Sequence, residues 1–479
     1  MRQILADLMD AAAGRADYAD VRHMSSASEM MATRNGRVDV VRRDADEGFG
    51  VRVRLGGAWG FAAARGSGHE AAEAALERAL AVAQAQPLVP GAGPLAPEEP
   101  AQGSYATELV TDPFEVSLEE KLELLLAADT GMRGDPRVTL TMAVFTAYRQ
   151  DKVFASTEGA LCQQRIVECG GGIAATATSE SDAQVRSFPG SHREHVAQAG
   201  WEHFAGLGLV ENAPRVAEEA VALLSAPRCP AGHTTLILDG EQVALQVHES
   251  VGHALELDRV LGREASYAGT SWVEATDLGS LRYGSEQMNI TADATCPGGL
   301  GSYGWDDEGV EGHRFPLVKD GVLRGFLSSR EAAAEIGLER SGGCTRADGF
   351  ARQPIIRMTN INLEPGSAGG LDDLIADTDQ GVYMETNRSW SIDNRRLQFQ
   401  FATELAWEIR DGQRTRLLRN PSYAGVTPEF WGSLDAVCSE PEWRLWGLLN
   451  CGKGEPGQLM HVSHGAAPAR FRNVQVGVA

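Results

Sequence analysis

The run HESVGHALELD, residues 248–258, puts two imidazoles and a carboxylate within six positions, as His248, Glu249 and His253. Imidazole nitrogen is a preferred zinc donor, and a carboxylate beside such a donor is placed to move a proton of an activated water. These residue types in this order point to a zinc hydrolase. The spacing makes a structural demand. On a regular helix residues four apart lie about 40° apart and share a face, whereas residues five apart diverge by roughly 140°, too far for one tetrahedral ion. A five-residue interval is that of a π-type turn, and Gly252 just before His253 eases an irregular backbone. The spacing therefore predicts a widened turn over 248–253. The alternative is a regular helix with His248 buried and His253 on the other side.

A catalytic zinc usually has three protein donors and one open position. The preferred third donor is Cys451 in NCGKGEPGQ, where flanking glycines let backbone approach closely and thiolate binds zinc strongly. His461, His464, His313, Asp258 and Glu256 are rivals, and the residues alone leave open whether Cys451 is a ligand or an inert small hydrophobe. Residues 447–454, GLLNCGKG, come within one residue of the phosphate-cradling GxxxxGK[ST] loop but lack its hydroxyl, and GGGIAATA at 170–177 lacks dinucleotide-binding spacing. Nucleotide chemistry is disfavoured on both counts. Tyr383, Arg388 and Arg395 are candidates to stabilise an oxyanion, each weighed against an ordinary structural contact.

The elements that must position these residues fall into two expected domains, 1–228 and 229–479, since single cores rarely grow past about 250–300 residues. Helices are expected at 2–13, 69–86, 117–131, 193–205 and 214–225. A hairpin should turn at Gly56-Gly57, and a strand meander should run through 137–178. Helix, meander, helix thus appears twice, which suggests an internal duplication. Five prolines and three glycines in 85–104 read as a linker or long surface excursion. After the turn-rich APRCPAGH at 226–233, TTLILD reads as a buried strand feeding the motif helix, and beyond 275 short strands alternate with Gly-rich turns. The expected class is α+β: an N-terminal α/β domain with antiparallel sheet and helices, then a mostly antiparallel, barrel-like β domain carrying the zinc-site helix.

At 43% hydrophobic and 23% charged residues the chain can bury sizeable cores without metal or disulfide staples. Its formal charge of -23 comes without any lysine- or arginine-rich block, so nucleic acid is not an expected partner. The opening has acidic residues inside its apolar pattern, and no later segment approaches a membrane span. Seven widely spaced cysteines with no CxxC pair suit reduced thiols, so a cytoplasmic location is expected.

The chain resembles the TldD/PmbA proteins, specifically the catalytic TldD type. The resemblance is carried by HESVGHALELD with the following GREASYAGTSW, by SWSIDNRRLQFQFATELAWEIRDG at 389–412, and by CGKGEPGQ at 451–458. It implies zinc held by His248, His253 and Cys451, with Glu249 catalytic. It also implies a protease whose site lies in a dimer cavity open to unfolded peptides, formed with a PmbA-like partner subunit or a second copy of the chain. The stretch MHVSHGAAPARFRNVQV after Cys451 departs from the ending of the best-known members. Two other readings remain: a noncatalytic subunit of the same fold, and a zinc hydrolase acting on a nonpeptide amide.

Overall fold

The computed structural model describes residues 1–86, 93–191, 195–454 and 457–478. It is a mixed α+β fold in which long antiparallel strands dominate the first half and a small closed barrel organises the second. The strands Tyr18–Arg34, Arg37–Leu55 and Ala58–Arg65 form one meander, flanked by helices Arg2–Ala12 and His69–Ala85. The strands Val138–Ser156, Leu161–Thr178 and Ala183–Phe188 form another, preceded by the helix Leu118–Gly131 and followed by Leu209–Ser225. The two meanders join through Tyr18–Arg34 and Val138–Ser156, which pair antiparallel, to make a single sheet. Gly56 and Gly57 both take positive φ between their strands, as a tight hairpin requires. Ser117 starts its helix by accepting the Glu120 backbone N–H at 3.1 Å.

One expectation needs correction. The stretch 193–205 is not one helix: His195–Ala197 is a strand paired to Leu161–Thr178, and only Trp201–Ala205 is helical. Residues 192–194 lie outside the described residues. Of the Pro-rich segment 85–104, residues 87–92 also lie outside them. The remainder is fastened rather than free, because Ala96 N–H donates to the Arg330 carbonyl and Gln102–Ala106 adds a parallel strand beside Leu161–Thr178.

Charge ties the first half to the second. Asp307 lies fully inside, between Arg22 at 3.3 Å and Lys152 at 2.6 Å, and Arg52 reaches Glu308 at 3.5 Å. Arg186 reaches Glu404 at 3.3 Å and also pairs with Glu385.

The barrel closes through five strands: Gly232–Leu238, Gln380–Ile392, Gln398–Arg410, Ser422–Val426 and Ala469–Val476. Phe401, Tyr423, Phe430 and Phe471 pack within it. From the end of Gly232–Leu238, Asp239 caps the helix Gly240–Val247 by accepting the Gln242 N–H at 2.9 Å. Val243, Val247, Val251 and Leu255 recur every four residues along this segment and are fully buried. At about 1.5–3 kcal/mol per buried side chain, that stripe is what seats the segment. The polar groups it carries inward are matched by the barrel and its surroundings. Gln242 donates to the Tyr423 hydroxyl at 2.8 Å, which donates to Gln246 at 2.9 Å, and Trp431 Nε1 donates to Ser250 Oγ at 2.9 Å.

Candidate metal centre

The helix Gly240–Val247 runs directly into a π-helical turn, His248–Gly252, followed by a 3₁₀ turn, His253–Leu255. His253 N–H donates to the His248 carbonyl, five residues back, which is the bond of a widened turn. This bond rotates His253 round to the side of His248, so that their rings lie 4.7 Å apart at 83°. Glycine at 252 leaves room for the buried Met358 thioether, which a Cβ there would strike and force to move.

The third group arrives from a two-stranded hairpin, Arg444–Lys453 with Gln458–Ala466, in which Cys451 lies opposite Met460. Cys451 Sγ is 3.6 Å from His253 Nε2, and donor atoms of His248, His253 and Cys451 all lie within 4.8 Å of one another. Tetrahedral zinc holds such donors roughly 3.3–3.8 Å apart, a small closure from here. Among the described residues this is the one cluster of such donors close enough to share an ion.

Hydrogen bonds fix which nitrogen each ring offers. The Ile361 carbonyl can only accept, so His464 Nδ1 donates to it at 3.0 Å and a neutral His464 keeps a lone pair on Nε2. That lone pair accepts from His248 Nδ1 at 2.7 Å, leaving His248 Nε2 unprotonated. His253 Nδ1 donates to Glu256 Oε2 at 2.9 Å, which leaves its Nε2 as the donor facing Cys451. Burial holds all three rings neutral: it pushes His248 down to about 4 and His253 and His464 well below the ordinary imidazole range.

The thiol is shifted the other way. Burial alone would raise Cys451, but the charges around it, that of Arg357 foremost, draw the thiol below its ordinary value. Arg357 also donates to the Cys451 carbonyl. The other six cysteines are pushed up by burial, to about 11 or 12. Two neutral imidazoles and one thiol drawn toward its anion make a donor set suited to zinc.

Of the rival ligands, none joins the cluster directly. His464 and Glu256 bond its far nitrogens, Asp258 pairs with Lys453 at 2.7 Å, and His313 bonds the Glu311 carbonyl at the surface. His461 projects from the opposite face of the hairpin onto Glu168 at 2.5 Å. Lys453, the lysine of the phosphate-loop resemblance, ends a strand with its ammonium buried against Asp258 and the Ile356 carbonyl. Among the oxyanion candidates, Tyr383 is buried beneath Arg414, Arg388 bonds Asn420, and Arg395 is exposed. The arginine that reaches the centre is Arg396, which pairs with Glu249.

Three family models cover most of the chain: PmbA/TldA metallopeptidase domain 1 over residues 19–83, the central domain over 111–226, and the C-terminal domain over 231–478. The chain belongs to the PmbA/TldD metallopeptidase family. A metalloprotease of Methanothermobacter thermautotrophicus is 31% identical over 474 residues, which is 99% of this chain and 97% of that relative. A TldD homologue described as a metalloprotease, from Haemophilus influenzae, is 27% identical over 96% of this chain and 93% of its own length. A zinc metalloprotease TldD homologue of Saccharolobus solfataricus is 26% identical over 52% of each chain. The solved structure of TldE from Thermococcus kodakarensis superposes with a TM-score of 0.75 over 99% of this chain and 100% of that one; at 16% identity it speaks for the fold.

The sequence had offered Glu256 and His464 only as direct ligands, although both serve the rings from behind. Arg357 and Arg396 gave no signal of their own. Among the described residues no helix is long and apolar enough to cross a membrane.

Proposed function

We propose that this chain is a zinc metalloprotease acting on unfolded peptides or small proteins, with zinc on His248, His253 and Cys451 and Glu249 as general base. The observation that carries this reading is the convergence of those three donors beside Glu249, with Cys451 the one thiol of seven drawn down. Held there, zinc supplies the Lewis acidity that brings a water's pKa toward neutrality. Glu249 accepts the proton of the water attacking the peptide carbonyl carbon and returns it to the leaving nitrogen as the C–N bond breaks. Glu256 and His464 keep both ring tautomers correct throughout.

The same geometry favours extended substrates. His248, His253 and Cys451 are only 2, 3 and 2% exposed, so the surface of a folded protein does not reach them. Capture of an extended peptide by main-chain hydrogen bonds would suit this strand-rich half. The enclosing cavity is formed with a PmbA-like partner subunit or a second copy of the chain. Six thiols held protonated and a ligand thiol open to oxidation suit the reducing cytoplasm. The test is cleavage of an unstructured peptide by wild type and Glu249→Gln with zinc content measured in both. The expected result is equal zinc and a loss of activity of about 10²–10⁴-fold in the variant. Equal activity removes Glu249 from the mechanism.

A further inference from the structure

Arg396 lies at the tip of the hairpin joining Gln380–Ile392 to Gln398–Arg410, and its backbone adopts φ +62, a left-handed conformation that a non-glycine residue occupies only at some expense. The surroundings hold it there. Asp393 accepts the N–H groups of Arg395, Leu397 and Gln398 at 3.0, 2.9 and 3.1 Å. Thr427 Oγ1 donates to the Arg396 carbonyl at 2.8 Å, and Thr270 and Trp272 donate their N–H groups to the carbonyls of Asn394 and Arg395, each at 2.9 Å. Gly269 leaves out a Cβ that would strike Asn394. A turn this heavily strapped aims one side chain, and that side chain ends at Glu249.

The pairing leaves most of the guanidinium unused. Of its donor groups only Nη1 has an acceptor among the described residues, and Nε is buried without one. The charge also acts on both imidazoles of the centre, opposing their protonation. Zinc with one thiolate ligand has a net charge near +1 rather than the +2 of an all-imidazole site, so it does less to neutralise developing negative charge. A second fixed cation beside the reacting carbonyl meets that need.

The geometry points to Arg396 as a catalytic residue: with Nη1 on Glu249 and Nη2 left for the substrate carbonyl oxygen, it stabilises the oxyanion of the tetrahedral intermediate. As the water oxygen bonds to the carbonyl carbon, the C=O π pair moves onto oxygen and the water's proton goes to Glu249. When that pair returns, the C–N bond breaks and the proton passes to nitrogen. Arg396 exchanges no proton in either step. The inference rests on the proteolytic reading and adds to it the group that receives the negative charge.

The test uses full-length, zinc-loaded protein as wild type, Arg396→Lys and Arg396→Gly, the last being a residue the left-handed backbone accepts. Two quantities are read: kcat and KM on an unstructured fluorogenic peptide, and the calorimetric affinity for a phosphinic analogue of that peptide, whose tetrahedral anion mimics the intermediate. Zinc content and Tm are measured alongside. The expected result is a fall in kcat of about 10²–10³-fold in Arg396→Gly, with KM within a few-fold and a matching loss of affinity for the phosphinic peptide. Added guanidinium should restore part of kcat in Arg396→Gly but do nothing for wild type. Arg396→Lys, which keeps the charge and loses the fork, should fall between them. The role is overturned if wild type is active and the variants match it, if the whole effect lies in KM, or if activity falls only in step with zinc. A zinc-loaded wild type that cleaves no peptide overturns the proteolytic reading itself, and this one with it.

Discussion

Replacing His464 probes the geometry behind the ligands without touching a ligand. Its ring is buried between two hydrogen bonds, accepting from His248 Nδ1 at 2.7 Å and donating to the Ile361 carbonyl at 3.0 Å. His464→Phe fills much the same space but leaves a buried N–H and a buried carbonyl unpaired, each worth about 1–3 kcal/mol. The carbonyl is left unpaired with or without metal, so its loss lowers stability. The lost acceptor for His248 is felt in metal binding, because nothing then keeps the ring proton on Nδ1 and the ring can present Nε2–H to the ion instead. At about 1.4 kcal/mol per decade, that single bond corresponds to a weakening of zinc affinity by about 10–100-fold, the range typical of outer-shell partners. His464→Gln offers a carbonyl oxygen to His248 and an amide N–H to Ile361, and should recover most of the loss. Zinc affinity is measured by competition against a chromophoric chelator at fixed pH. If Phe and Gln variants bind zinc alike and as tightly as wild type, the relay from Ile361 through His464 to His248 is not what orients the ligand.

Two further expectations follow from packing and charge. Gly252→Ala forces the Met358 side chain to move inside a fully buried environment, so stability should fall by about 1–3 kcal/mol and zinc affinity with it; Gly252→Ala paired with Met358→Ala should recover part of both, and unchanged zinc binding in the single variant would show that the widened turn tolerates a Cβ. Burial pushes the Glu404 carboxyl up to about 7, against the pull of Arg186 and Ser187 and with Glu241 adding to the rise. The native state therefore binds this proton more tightly than the unfolded chain, and the resulting stabilisation is complete below the unfolded value of 4.5 and lost as pH rises through about 7. Glu404→Gln should remove that dependence, so its Tm relative to wild type should improve between about pH 5 and pH 8; parallel Tm profiles would contradict it.

The fold and the centre were legible to different depths. The widened turn could be read because five-residue spacing and a glycine leave a regular helix unable to bring His248 and His253 together. The strand feeding the motif helix was equally clear from TTLILD and its turn-rich approach. Cys451 was not decidable from its neighbours, because what separates it from six other cysteines is Arg357, about a hundred positions earlier in the chain. His461 and His464 illustrate a different limit: three apart on a strand, they face opposite sides, and only the pairing of the hairpin decides which side holds the centre. Arg395 and Arg396 are neighbours in one turn, and the left-handed backbone at the second sends it inward while the first remains exposed. The region 193–205 was misread because its helical pattern includes His195–Ala197, where sheet pairing overrides local preference.

The most direct test of the account is an anomalous-scattering difference map collected on either side of the zinc absorption edge from crystals of the purified protein. The account predicts one peak among His248 Nε2, His253 Nε2 and Cys451 Sγ, beside Glu249. A peak elsewhere, or none after reconstitution with zinc, would contradict it.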